Sequence, residues 1–154
     1  MIRRYGISEV DSVVEILNND GVISVPTDTV YGVCARISSI DAYNKLIEVK
    51  NRPANKLFPI MCADVDQIKN VAVIGSREEM LIKLFMPGPI TLILKKKDAL
   101  PDYINNGCQT VAIRMATSDV LEKIIKKVGP VFMSSANQSG EAVCHNLDEI
   151  EHCC

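Results

Sequence analysis

The chain has 154 residues and a formal net charge of -2, a length that suits one domain and leaves little room for two. Hydrophobic residues make up 47% and charged residues 23%, so a real core forms and global disorder is excluded. The acidic balance carries no footprint of a nucleic-acid binder, and 5% aromatic residues with no Trp exclude a stacking platform for single strands. In chain order, Ser8-x-x-Asp11 reads as a capping box opening a helix with Val10, Val13, Val14 and Leu17 on one face. Asn18-Asn19-Asp20-Gly21 ends it, and Val22 to Val25 reads as a buried strand stopped by Pro26. Asp41 opens a second helix carrying Leu46, Ile47 and Lys50, which Pro53 closes no later than Asn51. Phe58 to Cys62 reads as a strand and Asp64 to Lys69 as a short helix. Ser76-x-x-Glu79 is a second capping box, before a face of Met80, Leu81, Leu84 and Phe85 that Pro87-Gly88-Pro89 breaks. Ile90 to Leu94 and Thr110 to Met115 read as strands with no helix between them. Thr117 or Ser118 caps a helix with Leu121, Ile124, Ile125 and Val128, closed by Gly129 and Pro130. Val131 to Met133 is a last strand and Asn146 to Ile150 a last short helix.

Strands interleave with helices but also follow one another, so the expected fold class is α/β (α+β): one mixed, twisted sheet with helices packed on it. One domain is expected over 1–154. Met1 to Tyr5 is followed by no signal-peptide core, and no apolar run approaches the ~18 residues of a membrane span. A cytoplasmic protein is expected. Six cysteines in a chain of this size read as reduced thiols. The tail holds Cys144-His145 and His152-Cys153-Cys154, whose spacing fits no standard zinc module, so an incidental, frayed terminus is expected.

Three polar segments follow apolar strands or helices. Pro26-Thr27-Asp28-Thr29-Val30-Tyr31-Gly32 offers uncharged hydroxyls for a small polar ligand, or a turn whose side chains cap the next element. In Lys50-Asn51-Arg52-Pro53, Pro53 pushes Arg52 toward an extended conformation, so both cations can converge on a polyphosphate. Ser134-Ser135-Ala136-Asn137-Gln138-Ser139-Gly140 can form a nest of N–H groups for an anion, or an ordinary polar loop. The basic run from Lys45 to Lys56 reads as a solvated face or as a groove for RNA. No Walker loop, Gly-x-Gly-x-x-Gly or Gly-x-Ser-x-Gly is present, and His145 and His152 lie at the tail, so a P-loop ATPase, a dinucleotide site and a hydrolase triad are excluded.

Taken in register, these segments with Pro87-Gly88-Pro89-x-Thr91 and Thr110-Val111-Ala112-Ile113-Arg114-Met115 resemble the YrdC family of threonylcarbamoyl-AMP synthases, from about Gly21 to Gly140. The resemblance implies an open, twisted, mostly mixed or antiparallel sheet flanked by helices, of the YrdC/RibB-like kind. It implies that ATP, L-threonine and bicarbonate give threonylcarbamoyl-AMP and pyrophosphate, for a transferase complex that modifies a tRNA adenosine beside the anticodon. By motif, Lys50 and Arg52 match the catalytic cations. Lys50, Arg52, Lys56, Thr110, Ser135 and Asn137 match ATP contacts, and Thr27, Thr29, Tyr31 and Arg114 match the threonine site. Mg²⁺ is expected on the ATP phosphates, with no protein side-chain ligand. The chain departs from the family pattern at Lys56-Leu57-Phe58, at Met61 where some members have His, and at Ala116 where Pro is usual. The end at Cys154 reads as a shortened C-terminus with no second domain. The alternatives are a catalytically weak module of the same fold binding double-stranded RNA or tRNA and, ranked last, carbamoyl transfer in hydrogenase maturation.

Overall fold

The computed structural model describes residues 2–53 and 56–153. Seven strands form one sheet: β1 (Ile23–Pro26), β2 (Tyr31–Arg36), β3 (Ile60–Cys62), β4 (Ala72–Val73), β5 (Leu92–Lys96), β6 (Thr110–Met115) and β7 (Val131–Ser135). Their order across the sheet is β1-β2-β7-β3-β6-β5-β4. Only β3 and β6 pair in parallel; the other neighbours are antiparallel. The mixed sheet expected from sequence is therefore present, with two strands that the sequence reading did not resolve, β2 and the two-residue edge strand β4. β2 was hidden because its start coincides with the polar Thr27–Gly32 segment and its interior reads as a buried run without alternation.

Six helices pack on it: α1 (Val10–Asn18), α2 (Ile40–Lys50), α3 (Val65–Val71), α4 (Ser76–Phe85), α5 (Asp119–Val128) and α6 (Leu147–Cys153). Their caps follow the sequence, with shifts. The Ser118 hydroxyl accepts from Leu121 N–H at 3.2 Å and Asp64 from Gln67 N–H at 2.9 Å. Ser39, not Asp41, caps α2, accepting from Ala42 N–H at 3.3 Å. The two expected capping boxes each sit one residue or more earlier. Gly6 N–H donates to Glu9 at 2.6 Å, and Gly75 N–H to Glu78 at 3.0 Å. A carboxylate three residues into the turn does the capping in both, while glycine supplies the extended backbone.

Registered partners divide the sheet into two faces. Val33, Phe132, Ile60, Ile113 and Leu94 point to one face, where α2, α3, α4 and α6 add Leu46, Ile68, Ile82 and Ile150. Tyr43 anchors this side, with ring centroids 5.3 Å from Phe132 and 6.1 Å from Phe58. Ile23, Cys34, Val131, Met133 and Met61 point to the other face, where α1 and α5 supply Leu17, Leu121, Ile124 and Ile125. Those two helices cover only the β1–β3 part. Further along that face, Arg114 is half-buried, and Thr110, Ile93 and Lys95 are exposed. The α4 face expected to be apolar and buried is not: Met80, Leu84 and Phe85 are 61%, 68% and 53% exposed, and Ile82 is the side chain driven into the core.

The expected frayed tail is also corrected. α6 runs to Cys153, buries Ile150 and is tied to the N-terminal segment by Arg4, which pairs with Asp148 at 2.5 Å and Glu151 at 2.8 Å. Cys154, counted in the Cys/His tail, lies outside the described residues.

Candidate active site

A cleft of about 270 Å³ opens where β1 turns into β2, facing the end of β7. Its lining joins Thr27 to Gly32 with Arg52, Pro59, Met61, Arg114, Met133, Ser134 and Ser135. Residues from five separated segments of the chain meet there, and four of them come from or adjoin β2, β7, β3 and β6, which are consecutive neighbours in the sheet. Gly32 is needed at the floor: a Cβ there would stand 2.5 Å from Met133 Sδ and 3.3 Å from Ser134 O.

Lys50 ends α2, and Asn51 then reverses the chain in the left-handed conformation, with φ 46°. Asn is one of the residues that tolerates this geometry. The Lys50 ammonium is buried at 1% exposure and donates to Ser135 O at 2.5 Å, Asn137 O at 2.5 Å and Asn137 Oδ1 at 3.1 Å. Three hydrogen bonds match the three donors of an ammonium. The Lys50 carbonyl also accepts from Ser139 N–H at 3.0 Å. Lys50 therefore braces the Ser134–Ser139 turn from beneath, while its side chain stays outside the cleft lining.

Arg52 takes the other side of the turn. Its Nε donates to Lys56 O at 3.2 Å, Nη2 to Leu57 O at 2.5 Å and Nη1 to Ser134 Oγ at 3.3 Å. The guanidinium lies over the Phe58 ring at 4.4 Å, which gives Phe58 a role in holding it. A guanidinium has five N–H donors, and three bonds leave two for a ligand in the cleft. Partial burial lowers the Arg52 pKa, an effect that Tyr43 opposes; the group stays charged at any working pH.

The Thr27 hydroxyl donates to Val30 O and accepts from Val30 N–H at 3.3 Å. It closes the β1–β2 turn, the capping alternative left open by the sequence, and still borders the cleft. Thr29 and Tyr31 line the cleft, and Tyr31 O accepts from Ala136 N–H at 2.8 Å, stitching the turn to the loop after β7. Ser135 Oγ donates to Asn137 Oδ1 at 2.6 Å, and Asn137 Nδ2 donates to Gln138 O at 3.0 Å and Glu141 O at 2.7 Å. Asn137 is thus the internal knot of the turn. Gln138 Nε2 extends the brace to Val49 O at 3.0 Å and Cys153 O at 2.6 Å, so α6 holds the same loop. Cys144 and Cys153 bring their sulfurs to 2.8 Å beside it.

Four of the six expected ATP contacts stand outside the cleft lining: Lys50 and Asn137, buried within the turn, and Lys56 and Thr110. Lys56 is exposed beyond the Arg52 carbonyl contacts. Thr110 shares the open sheet face with Ala112 and Arg114, but lies four residues from Arg114 along β6, about 13 Å at strand rise. Arg114 Nε and Ser139 Oγ are buried without a hydrogen-bond partner among the described residues. Both belong to the segments singled out by sequence, and Arg114 also borders the cleft. Asp28, Ser134, Pro59 and Met61 also border the cleft; no residue-type signal in the chain says that Asp28, among its many carboxylates, would face this cavity. Among the described residues no three His, Cys, Asp or Glu side chains converge as a metal site, and no helix is long and apolar enough to cross a membrane.

The chain is 36% identical over 143 residues to the threonylcarbamoyl-AMP synthase of Bacillus subtilis, covering 86% of this chain and 41% of the relative. It is 31% identical over 142 residues to the synthase of Buchnera aphidicola, covering 90% of this chain and 81% of that protein. The crystal structure of Pyrococcus abyssi Sua5 complexed with L-threonine superposes with a TM-score of 0.88 at 31% identity, over 98% of this chain and 45% of that one. The chain spans about two fifths of the length of the first curated relatives it matches. A HypF structure shares the fold at a TM-score of 0.82 but only 21% identity. The Sua5/YciO/YrdC family model, described as "Telomere recombination", matches residues 15–153, and the chain belongs to that family.

Proposed function

We propose that this chain carries the adenylate-forming site of a threonylcarbamoyl-AMP synthase, taking ATP, L-threonine and bicarbonate to threonylcarbamoyl-AMP and pyrophosphate. The observation that carries it is the cleft itself, in which Arg52 with the Ser134-Ser135 turn and Arg114 with the Thr29-Tyr31 hydroxyls border one cavity. The first set suits phosphate and the second an amino acid. In the reaction, the threonine amine and bicarbonate give a carbamate and water. A carbamate oxygen then forms a bond to the α-phosphorus of ATP as the bond to the β-phosphate oxygen breaks. Two anions have to meet, so catalysis here is positioning and charge stabilisation. Arg52 keeps two donors for phosphate oxygens, and Lys50 and Asn137 hold the turn whose N–H groups border the same charge. Mg²⁺ carried on the ATP phosphates would offset the charge of the leaving pyrophosphate. The product would pass to a complex that modifies tRNA.

Pyrophosphate release tests the reading, measured with ATP, threonine and bicarbonate together and with each left out in turn. Release that depends on all three supports it; release indifferent to threonine or bicarbonate, or none at all, overturns it. A module that only binds RNA is less well supported, since the basic run that would line its groove is broken up: Lys50 is buried and Arg52 is bonded to backbone carbonyls.

A further inference from the structure

We infer that Asp28 is the ligand of the substrate's α-ammonium group and sets the preference of this site for an amino acid over other small carboxylates. The inference rests on the synthase reading and names a contact within it. Among the described residues Asp28 is the only acidic residue that borders the cleft, which Arg52 and Arg114 border as well. Asp28 is exposed on the turn, and among the described residues it forms no ion pair and no hydrogen bond. Its neighbours behave differently. Thr27 is consumed in closing the β1–β2 turn, and Arg52 is held by Lys56 O, Leu57 O and Ser134 Oγ. The turn is therefore fixed on both sides of a carboxylate that is itself uncommitted.

A free amino acid is a zwitterion, with a carboxylate and an ammonium on one carbon. A cavity that binds it by charge needs one cation and one anion. Arg114, with its unpartnered Nε, supplies the cation, and Asp28 supplies the anion. An uncompensated carboxylate beside a phosphate site would otherwise only repel ATP, a penalty that a ligand ammonium removes. The order of events follows. The ammonium sits on Asp28, gives one proton to solvent at this exposed position, and the amine then bonds to the carbon of bicarbonate as water leaves; Asp28 no longer attracts the nitrogen, which leaves the carbamate free to swing toward the α-phosphate.

Calorimetric titration with L-threonine, without ATP or magnesium, tests this on the unsubstituted chain and on Asp28→Asn. The second titrant is the threonine analogue in which a hydroxyl replaces the α-amino group. The unsubstituted chain should prefer threonine, and Asp28→Asn should bind threonine about 10- to 100-fold more weakly, as expected for loss of one charge-assisted hydrogen bond, while binding of the analogue holds or improves. The exposed position predicts an unchanged melting temperature, so a folding defect would be visible as such. Equal threonine affinity in the two proteins, or an equal loss for threonine and analogue, overturns the assignment and leaves the synthase reading standing. Absence of threonine binding by the unsubstituted chain overturns both.

Discussion

Replacing Lys50 by Met separates two jobs that a lysine in this segment can do. A cation waiting for phosphate is uncompensated in the empty protein and lies near Arg52, so its removal would leave stability unchanged or raise it. The structure assigns the opposite sign. Lys50→Met keeps the apolar stem but withdraws three donors from Ser135 O, Asn137 O and Asn137 Oδ1 in a site 1% exposed to solvent. Ser135 O keeps a bond from Asn137 N–H at 3.0 Å, so part of the loss is made good, and the ammonium's own desolvation is recovered. With each buried acceptor left short at about 1–3 kcal/mol, a net loss of about 2–4 kcal/mol remains. For a chain of this length that corresponds to roughly 5–15 °C in melting temperature. Thermal unfolding of the ligand-free protein reads it directly. A Lys50→Met protein that melts with or above the parent, yet binds ATP poorly, would refute the bracing role and return Lys50 to the phosphates.

Arg114→Lys keeps the charge but removes the planar fork, so threonine affinity should fall about tenfold with melting unchanged; titration with threonine checks this, and an unchanged affinity removes Arg114 from carboxylate recognition. Asp20 accepts from Arg36 Nε at 2.8 Å and Nη2 at 2.6 Å, and these hydrogen bonds, with a further one from Ser39, hold its carboxyl below the usual range. A depressed folded pKa means stability present above the unfolded value of about 4 and lost as pH falls through the folded value. The gap in melting temperature between the parent and Asp20→Asn should be widest near neutrality and close below about pH 4; a gap constant with pH contradicts the pairing. Asn tolerates the left-handed φ of 64° at this position, so the substitution isolates charge. Burial pushes the Cys34 and Cys62 thiols up to about 12, and Cys108 is exposed. Iodoacetamide near pH 8 should label Cys108 and spare Cys34 and Cys62 until the chain is unfolded, as peptide mass mapping would show.

The long elements were legible because each had a period and a cap. The α5 face of Leu121, Ile124 and Ile125, with Ser118 before it and Gly129 after it, came out as read. The misreadings have physical causes. β2 carries no alternation, since Gly32 to Ala35 are buried on both faces of an interior strand. α4 has an apolar stripe that docks against nothing among the described residues, because periodicity says which side chains share a face and not what lies opposite. In the site, the segments were visible but their division of labour was not. Pro53 offered a reason for Lys50 and Arg52 to approach one another. The reversal is made at Asn51, and it aims the two cations at one turn from different sides. Whether a lysine touches phosphate or carbonyls depends on a 2.5 Å contact across 85 residues of chain, which no local pattern encodes.

That difference between cations orders the chemistry. Arg52 arrives at the cleft already bonded to two carbonyls and a hydroxyl and stacked on Phe58, so its direction is set before any ligand binds. A group fixed in advance suits charge that develops during reaction, because nothing needs to reorganise when it appears. Arg114 lies on the stretch of sheet face that α1 and α5 leave uncovered, and its Nε has no partner. A desolvated donor of that kind gains from any bound anion, and on the proposed reading the anion beside Arg114 is the carboxylate of the amino acid. On the proposed synthase reading, the uncovered sheet face would take the amino acid and the braced turn the phosphates, with the β1–β2 turn bordering the same cleft.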